Sequence, residues 1–269
     1  MYRIHKYYFN NFKSKENLHR SNYALLIDMP ERGIKYAPDF EFSDEYYLLK
    51  GFDHIQIPAA YDFGQGELFK NGKFLIRQNF IILQHIDGCD LVNYFMQKDV
   101  TNNKIIEEII KYFITACDPL SYIHSKNYIH CDLKPGHLIL NKKTGLVYII
   151  DFELAIKIGG IMKGISKAYA SPEQLQMRVY LRNLPGKISY EDISAPVRLD
   201  VRTDLYSLGL ILYQILTKRL WQVEKVLPCR INRRIPPELE EIMIGLLEPD
   251  VSLRLSSAGE LKKELNCII

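Results

Sequence analysis

The hydrophobic pattern of this 269-residue chain changes near residue 90. Before that point, apolar residues form short runs of strand length, such as Tyr23–Ile27 and Phe80–Gln84. After it, they recur at helical spacing, most clearly from Ile105 to Leu120, and Asp204–Thr217 is almost wholly apolar after its first turn. The sequence therefore predicts an α+β fold with a small β-rich part, a larger mainly α-helical part and a ligand-binding cleft at their junction.

Several local signals place individual elements. Ser43 precedes acidic residues and a short apolar pattern, which predicts that it is the N-cap of a helix containing Glu45. Pro119 lies inside the long helical pattern and is expected to kink that helix or end it early. Two strands, His137–Leu140 and Leu146–Ile150, are predicted to form a hairpin around an Asn-Lys-Lys-Thr-Gly turn.

Composition excludes several function classes. The 35 Lys and Arg residues nearly balance the 32 Asp and Glu residues, so a strongly basic nucleic-acid binder is not expected. The apolar runs are too short or too broken to span a bilayer, and no apolar run follows the N-terminus as in a secretory signal. Five widely spaced cysteines without a CxxC pair indicate a reducing, cytoplasmic compartment.

The chemistry of the chain is concentrated around two aspartates. Asp132 lies on a loop after the long helix, and Asp151 directly follows the predicted hairpin. Phosphoryl transfer uses such a pair, because one carboxylate accepts the proton of an attacking hydroxyl while the other holds Mg²⁺ on the phosphates. Lys134 could neutralise charge on the transferred group.

These residues resemble the motifs of one family. His130-Cys-Asp-Leu-Lys-Pro resembles the HRDLKP catalytic loop of bacterial-type Ser/Thr protein kinases, Asp151-Phe-Glu resembles DFG, and Ser171-Pro-Glu resembles APE. Further matches follow the family's order, and they comprise Glu45 of helix αC, the hinge at Leu83–Ile86, Asp204 of the central helix and the late Arg254.

The resemblance implies a bilobal protein kinase-like fold over residues 1–269, with the N-lobe and hinge at 1–86 and the C-lobe at 87–269. It implies transfer of the γ-phosphoryl group of ATP to a Ser or Thr hydroxyl of a protein, with Mg²⁺ or alternatively Mn²⁺. Charge balance and hydropathy predict no nucleic-acid or membrane partner. The implied catalytic residues are Asp132, Lys134 and Ser166. The implied nucleotide-binding residues are Lys13, Glu45, Gln84, Ile86, His137 and Leu140. The implied metal-binding residues are Asp151, His137 and Glu153.

The same resemblance implies two structural pairs. The rings of His130 and Phe152 are expected to pack together, and Glu173 is expected to form a buried ion pair with Arg254.

The N-terminal phosphate-binding elements depart from the family pattern. Tyr8–Lys15 occupies the place of the Gly-rich loop without any glycine. Aligning Tyr23–Asp28 with the family's third strand puts Leu26 at the position of the usual lysine. Lys35 is an alternative, although it lies so close before Glu45 that little room remains for a strand end and a helix start. Lys13 is a third option, similar to the loop lysine of the with-no-lysine kinases.

Three departures lie near the aspartates. His137 replaces the Asn that binds a second Mg²⁺, and it either contributes to the site or hydrogen-bonds Asp132 or the loop backbone. Glu153 replaces the DFG glycine, as a metal ligand or as an exposed residue of an altered loop. Cys131 replaces the Arg that pairs with an activation-loop phosphate, so activation by such a phosphate is not expected.

Two alternatives to an active protein kinase follow, the first from these departures and the second from the His-x-Asp pattern of the catalytic loop. One is a pseudokinase that binds a nucleotide or a partner. The other, a small-molecule kinase, does not explain Lys134, Glu173 or Arg254. The long interval between Glu173 and Asp204 is interpreted either as a docking or regulatory insertion or as a surface loop.

Overall fold

The computed structural model describes residues 3–4, 25–29, 32–37, 41–70, 73–184, 195 and 197–269. Tyr8–Lys15, including Lys13, and most of the interval after α4 lie outside the described residues. The chain divides into two compact units, Met1–Ile86 and Asp87–Ile269.

Within its described residues, the first unit contains a five-stranded sheet and one helix. Its strands are β1 (Arg3–Ile4), β2 (Leu25–Met29), β3 (Arg32–Ala37), β4 (Ala60–Lys70) and β5 (Lys73–Gln84). They lie in the order β1-β4-β5-β3-β2, and only the β1–β4 pair is parallel. The helix α1 (Ser43–Lys50) follows β3.

Helix α1 begins without the predicted cap. Ser43 is its first residue rather than its N-cap, and Phe42 precedes it without a side-chain capping hydrogen bond. The acidic residues Asp44 and Glu45 still occupy the first turn, where they complement the helix dipole. Glu45 and Leu49 are buried, because residues four apart share one helix face.

The second unit is mainly helical. Its helices are α2 (Leu91–Met96), α3 (Asn103–Ser125), α4 (Pro172–Arg182), α5 (Val201–Thr217), α6 (Trp221–Glu224), α7 (Pro228–Ile231), α8 (Pro237–Leu246) and α9 (Ala258–Asn266). Its short strands are β6 (Cys89–Asp90), β7 (Tyr128–Ile129), β8 (Leu138–Asn141), β9 (Leu146–Ile149) and β10 (Ile156–Lys157). Together the two units confirm the α+β class and the small sheet-rich and larger helical parts.

The two long helices form the framework of this unit. Helix α5 is buried over nearly its whole length, as its apolar sequence predicts. Helix α3 continues for 23 residues through Pro119, so it does not end early. Pro119 is itself buried, and the packing of α3 against α9 and β9 supports a helix that lacks one backbone donor. None of the helices within the described ranges combines the length and the hydropathy needed to cross a membrane.

The predicted hairpin is present between β8 and β9, with a shift of one residue. Its turn uses Gly145 at φ 70°, and the side chain of Asn141 accepts hydrogen bonds from two backbone N–H groups within the turn. His137 lies in a 3-10 turn before β8 rather than in the strand, and this turn places its ring beside the catalytic loop.

Candidate active site

The loop that carries Asp132 is anchored to helix α5 by Asp204. This fully buried carboxylate accepts hydrogen bonds from the backbone N–H groups of His130 at 2.8 Å and Cys131 at 2.9 Å. Asp204 also contacts helix α3, where His124 Nε2 lies 2.9 Å from Asp204 Oδ2. Cys131 has φ 64°, a left-handed conformation that is rare for a side chain of this type. Asp204 therefore offsets local backbone strain beside the catalytic position.

Acidification is expected to weaken the fold through Asp204. Burial alone raises the pKa of this carboxyl, but the hydrogen bond and charge of His124 and the contacts with His130 outweigh it and leave the pKa below its ordinary value. Because the folded-state pKa is depressed, its contribution to stability is present above the unfolded-state pKa of about 3.9 and is lost as the pH falls toward the folded-state value. Urea unfolding at pH 7 and pH 3 should show a larger loss of unfolding free energy for wild type than for Asp204→Asn.

The matched control for this prediction is His124→Gln. It keeps an N–H donor near Asp204 but has no ring that can take up a proton, so its loss between the two pH values should be intermediate. Equal losses in all three proteins would contradict the assignment, and far-UV circular dichroism at pH 7 verifies that each variant is folded.

The buried ring of His130 packs as its resemblance implies. Its Nε2 lies 3.1 Å from the carbonyl oxygen of Ile150, and its Nδ1 accepts the backbone N–H of Asp132 at 3.3 Å. Burial and the neighbouring His137 lower the pKa of His130, which favours the neutral ring. The Phe152 ring lies 5.0 Å away between centroids. His130 therefore has a structural role, because its ring contacts the backbone of the catalytic loop at Asp132 and the backbone after β9 at Ile150.

The three predicted catalytic side chains are close together. Lys134 Nζ donates to Asp132 Oδ2 at 2.7 Å and to Ser166 Oγ at 3.3 Å. Asp132 is buried, and within the part of the chain that the structure describes its Oδ1 has no hydrogen-bond partner. A buried carboxylate oxygen without a donor is costly, and such atoms are commonly retained for a ligand or a reaction.

His137 bridges the two aspartates. Its Nδ1 lies 2.8 Å from the backbone carbonyl oxygen of Asp132, and its Nε2 lies 3.1 Å from Asp151 Oδ2. The predicted hydrogen bond to the loop backbone is confirmed, and the ring also contacts Asp151, with which the resemblance groups it as a metal-binding residue. Asp151 itself has φ 67°, a second left-handed residue at this site.

Glu153 does not complete a metal site with these residues. Among the described residues, no group of three or more His, Cys, Asp and Glu side chains is arranged to hold a metal ion. Glu153 is half-buried on the turn after Asp151. Among the described residues, Asp151, His137 and Glu153 are therefore not assembled as three protein ligands of one ion, whereas His137 and Asp151 are in contact.

Three predicted nucleotide-binding residues differ in exposure. Gln84 and Ile86 lie at the C-terminal end of the first unit, whereas Leu140 lies in the core of the second unit. Gln84 and Ile86 are half-buried, and Gln84 Oε1 accepts the Ala59 N–H at 3.3 Å. Leu140 in β8 is 0% exposed and has no surface with which to contact a ligand. Side chains alternate along a strand, so its neighbour Ile139 is the residue that stays partly exposed. The predicted nucleotide-binding residue Leu140 is therefore one position too far along the strand.

Lys35 is the lysine paired with Glu45. Its Nζ lies 3.1 Å from Glu45 Oε2, with side-chain exposures of 5% and 1%. The expected lack of room is wrong, because β3 ends at Ala37, α1 begins at Ser43 and the residues between suffice for the connection. Leu26 lies on the neighbouring strand β2, directly opposite Lys35 in the antiparallel register. The alignment through Leu26 therefore selected the adjacent strand.

The predicted Glu173–Arg254 ion pair is present and buried. Two guanidinium N–H groups of Arg254 donate to the two carboxylate oxygens of Glu173, each at 2.8 Å. Thr203 Oγ1 also donates to Glu173 at 3.0 Å, and the Arg254 side chain donates to three backbone carbonyl oxygens nearby. This arrangement satisfies both charges with hydrogen bonds, as a buried pair requires.

Gln174 is a further positioning residue that sequence reasoning missed. It completes a capping box with Ser171 at the start of α4, and its Nε2 donates to the carbonyl oxygen of Cys131 at 2.7 Å. The Ser-Pro-Glu-Gln sequence contains the capping-box spacing, which was the available signal. Through this bond the start of α4 holds the catalytic loop.

Cys131 belongs to an apolar cluster instead of a cation site. The buried members are Ile129, Cys131, Ile156, Met162, Met177 and Leu199. Burial raises the pKa of the Cys131 thiol well above its usual range, so the thiol stays neutral. The cluster joins the catalytic loop, the segment after Asp151 and helix α4 by hydrophobic contact.

Comparison with known proteins identifies relatives of this architecture. The family model "Protein kinase domain" matches residues 29–265. Serine/threonine-protein kinase PknB of Mycolicibacterium smegmatis is 25% identical over 275 residues, which cover 92% of this chain and 39% of that protein. Serine/threonine-protein kinase PknD of Chlamydia trachomatis is 32% identical over 216 residues, covering 69% and 23%. A putative serine/threonine-protein kinase, R436 of Acanthamoeba polyphaga mimivirus, is 28% identical over 202 residues, covering 70% and 67%. The chain thus spans less than half the length of the first two relatives.

Proposed function

This chain belongs to the protein kinase family, and we propose that it is an active serine/threonine kinase that transfers the γ-phosphoryl group of ATP to a protein hydroxyl. The observation that carries the proposal is the Asp132 carboxylate, with one oxygen bound by Lys134 and the other buried without a described partner. A general base needs an oxygen that can accept the proton of the attacking hydroxyl.

Each catalytic group has a definite role in this proposal. Asp132 Oδ1 orients the substrate hydroxyl and accepts its proton as the hydroxyl oxygen attacks the γ-phosphorus. Lys134, held between Asp132 and Ser166, offsets the negative charge that develops on the transferred group. Ser166 positions Lys134 and so links the segment after Asp151 to the reacting group.

The residues of the chain also fit the nucleotide and its metal ion. The Asp151 carboxylate is the oxygen ligand that Mg²⁺ prefers, and Mg²⁺ commonly takes its remaining ligands from phosphates and water. When bound, the ion neutralises phosphate charge. Within the first unit, Lys35, held in position by Glu45, is proposed to bind the phosphates. We also propose a reducing, cytoplasmic setting, which the five free cysteines support.

A pseudokinase is the second candidate function, and one observation favours it. His137 contacts Asp151, the carboxylate that would hold the metal ion, at 3.1 Å. A protein in which this contact persisted with nucleotide present would bind ATP, or a partner, without transferring phosphate.

Two measurements on the purified chain test the proposed function. Incubation with γ-labelled ATP, Mg²⁺ or Mn²⁺ and a generic protein acceptor should give phosphorylated Ser or Thr, and Asp132→Asn should lower the rate by about 100-fold or more. Thermal shift with a non-hydrolysable ATP analogue should show similar binding in both proteins. Binding without transfer in wild type would favour the pseudokinase, and the absence of both would contradict the proposal.

A further inference from the structure

The two ring nitrogens of His137 have different partners. Nδ1 lies 2.8 Å from the backbone carbonyl oxygen of Asp132, and a carbonyl oxygen can only accept. Nδ1 therefore carries the proton in this hydrogen bond. In the neutral ring, Nε2 then offers a lone pair.

That lone pair is directed at another acceptor. Nε2 lies 3.1 Å from Asp151 Oδ2, and the His137 side chain is only 7% exposed. Two acceptors at this separation repel unless a cation or a proton lies between them. Metal-binding histidines are oriented in the same way, with the second ring nitrogen donating to a backbone carbonyl or a carboxylate.

We propose that His137 and Asp151 form a metal site that prefers a divalent first-row transition ion over Mg²⁺, with Mn²⁺ as the weakest-binding member of that series. The inference rests on the proposed function, because the described residues supply no third protein ligand and the phosphates of a bound nucleotide and water complete the coordination. His137 is in this view a specificity-determining residue for the metal ion.

The donor chemistry gives the direction of the preference. Mg²⁺ takes oxygen ligands and binds imidazole poorly, whereas transition ions accept imidazole nitrogen and bind it more tightly along the series that begins with Mn²⁺. Ligand atoms about 2.1 Å from one ion and at right angles to each other lie about 3 Å apart. The observed Nε2–Oδ2 distance of 3.1 Å matches that separation.

The surroundings hold the imidazole in place. The carbonyl of Asp132 fixes one end of the ring, and the His130 ring lies 5.7 Å away between centroids. The Asp132 carboxylate, whose Oδ2 is bound by Lys134, lies near the other ring nitrogen, with Oδ2 3.7 Å from His137 Nδ1. The site is thus ordered in advance on the protein side, which reduces the cost of binding an ion.

The test uses Mn²⁺ as the probe, with the full chain and a non-hydrolysable ATP analogue. Pulsed electron paramagnetic resonance of bound Mn²⁺ should show coupling to a histidine nitrogen, and labelling the histidines with ¹⁵N should change it. The matched variants are His137→Asn, which restores an oxygen donor, and His137→Gln. Both should lose the coupling, and the Mn²⁺-over-Mg²⁺ affinity ratio should fall by about 10-fold.

The outcomes separate this inference from the proposed function. Bound Mn²⁺ without histidine coupling, no binding of Mn²⁺, or an unchanged affinity ratio in His137→Asn would overturn the inference and indicate a protonated ring paired with Asp151. Histidine coupling in a protein that transfers no phosphate would contradict the proposed function and leave the metal site standing. Circular dichroism of each variant verifies the fold.

Discussion

Arg254→Met is expected to lower the free energy of unfolding by about 3–5 kcal/mol. The side chains of Arg254 and Glu173 are 0% and 4% exposed, so the substitution leaves the Glu173 carboxylate buried. Among the described residues, Thr203 then remains as its side-chain donor. It also removes donors from the carbonyl oxygens of Glu248 and Pro249. Urea unfolding at pH 7 measures the change.

The double variant Glu173→Gln/Arg254→Met is the matched control. Gln removes the unpaired charge and can still accept the Thr203 hydroxyl proton, so the double variant should be more stable than Arg254→Met alone. Replacing both partners of a buried pair is often nearly neutral, whereas removing one is not. Equal losses in the two proteins would show that packing, rather than a stranded charge, determines the effect.

Lys35→Met is expected to weaken nucleotide binding and to reduce phosphoryl transfer by about 100-fold. The reason is that Lys35 is the cation held by buried Glu45, in a strand that pairs with β2 and β5. The affinity for a non-hydrolysable ATP analogue and the rate with labelled ATP are the two measurements. The first remains informative even if the protein transfers no phosphate.

Two variants keep this prediction specific. Lys13→Met removes the competing loop lysine and should change either measurement by less than about threefold. Lys35→Met/Glu45→Gln also removes the buried negative charge of Glu45, so it should be more stable than Lys35→Met without recovering nucleotide affinity. If Lys13→Met were as damaging as Lys35→Met, the assignment of the phosphate-binding lysine to β3 would be wrong.

Much of the second unit could be predicted because its motifs are contiguous or have characteristic partners. Asp132 and Lys134 are two residues apart, and the long apolar pattern around Asp204 allows only a buried helix. The Glu173–Arg254 pair was predictable because both residues match positions that the family resemblance implies to be paired. These features depend on local sequence and on few alternative arrangements.

The first unit was harder because strand register depends on neighbours distant in sequence. Arg32–Ala37 contains glycine and two charged residues, so its strand propensity is low, and pairing with β2 and β5 determines its position. A similar limit explains the displacement from Ile139 to Leu140, since a shift of one residue reverses the face of every side chain. The contact of His137 with Asp151 joins a 3-10 turn to the end of a hairpin, and no local pattern encodes it.

The apolar cluster around Cys131 has a consequence for how ionic strength acts on the protein. An ion pair between a phosphate and an arginine weakens as salt screens the two charges. Burial of Ile156, Met162 and Met177 against Cys131 is driven by the removal of apolar surface from water, which simple salts do not screen. The segment after Asp151 is therefore joined to the catalytic loop by contacts that salt does not loosen.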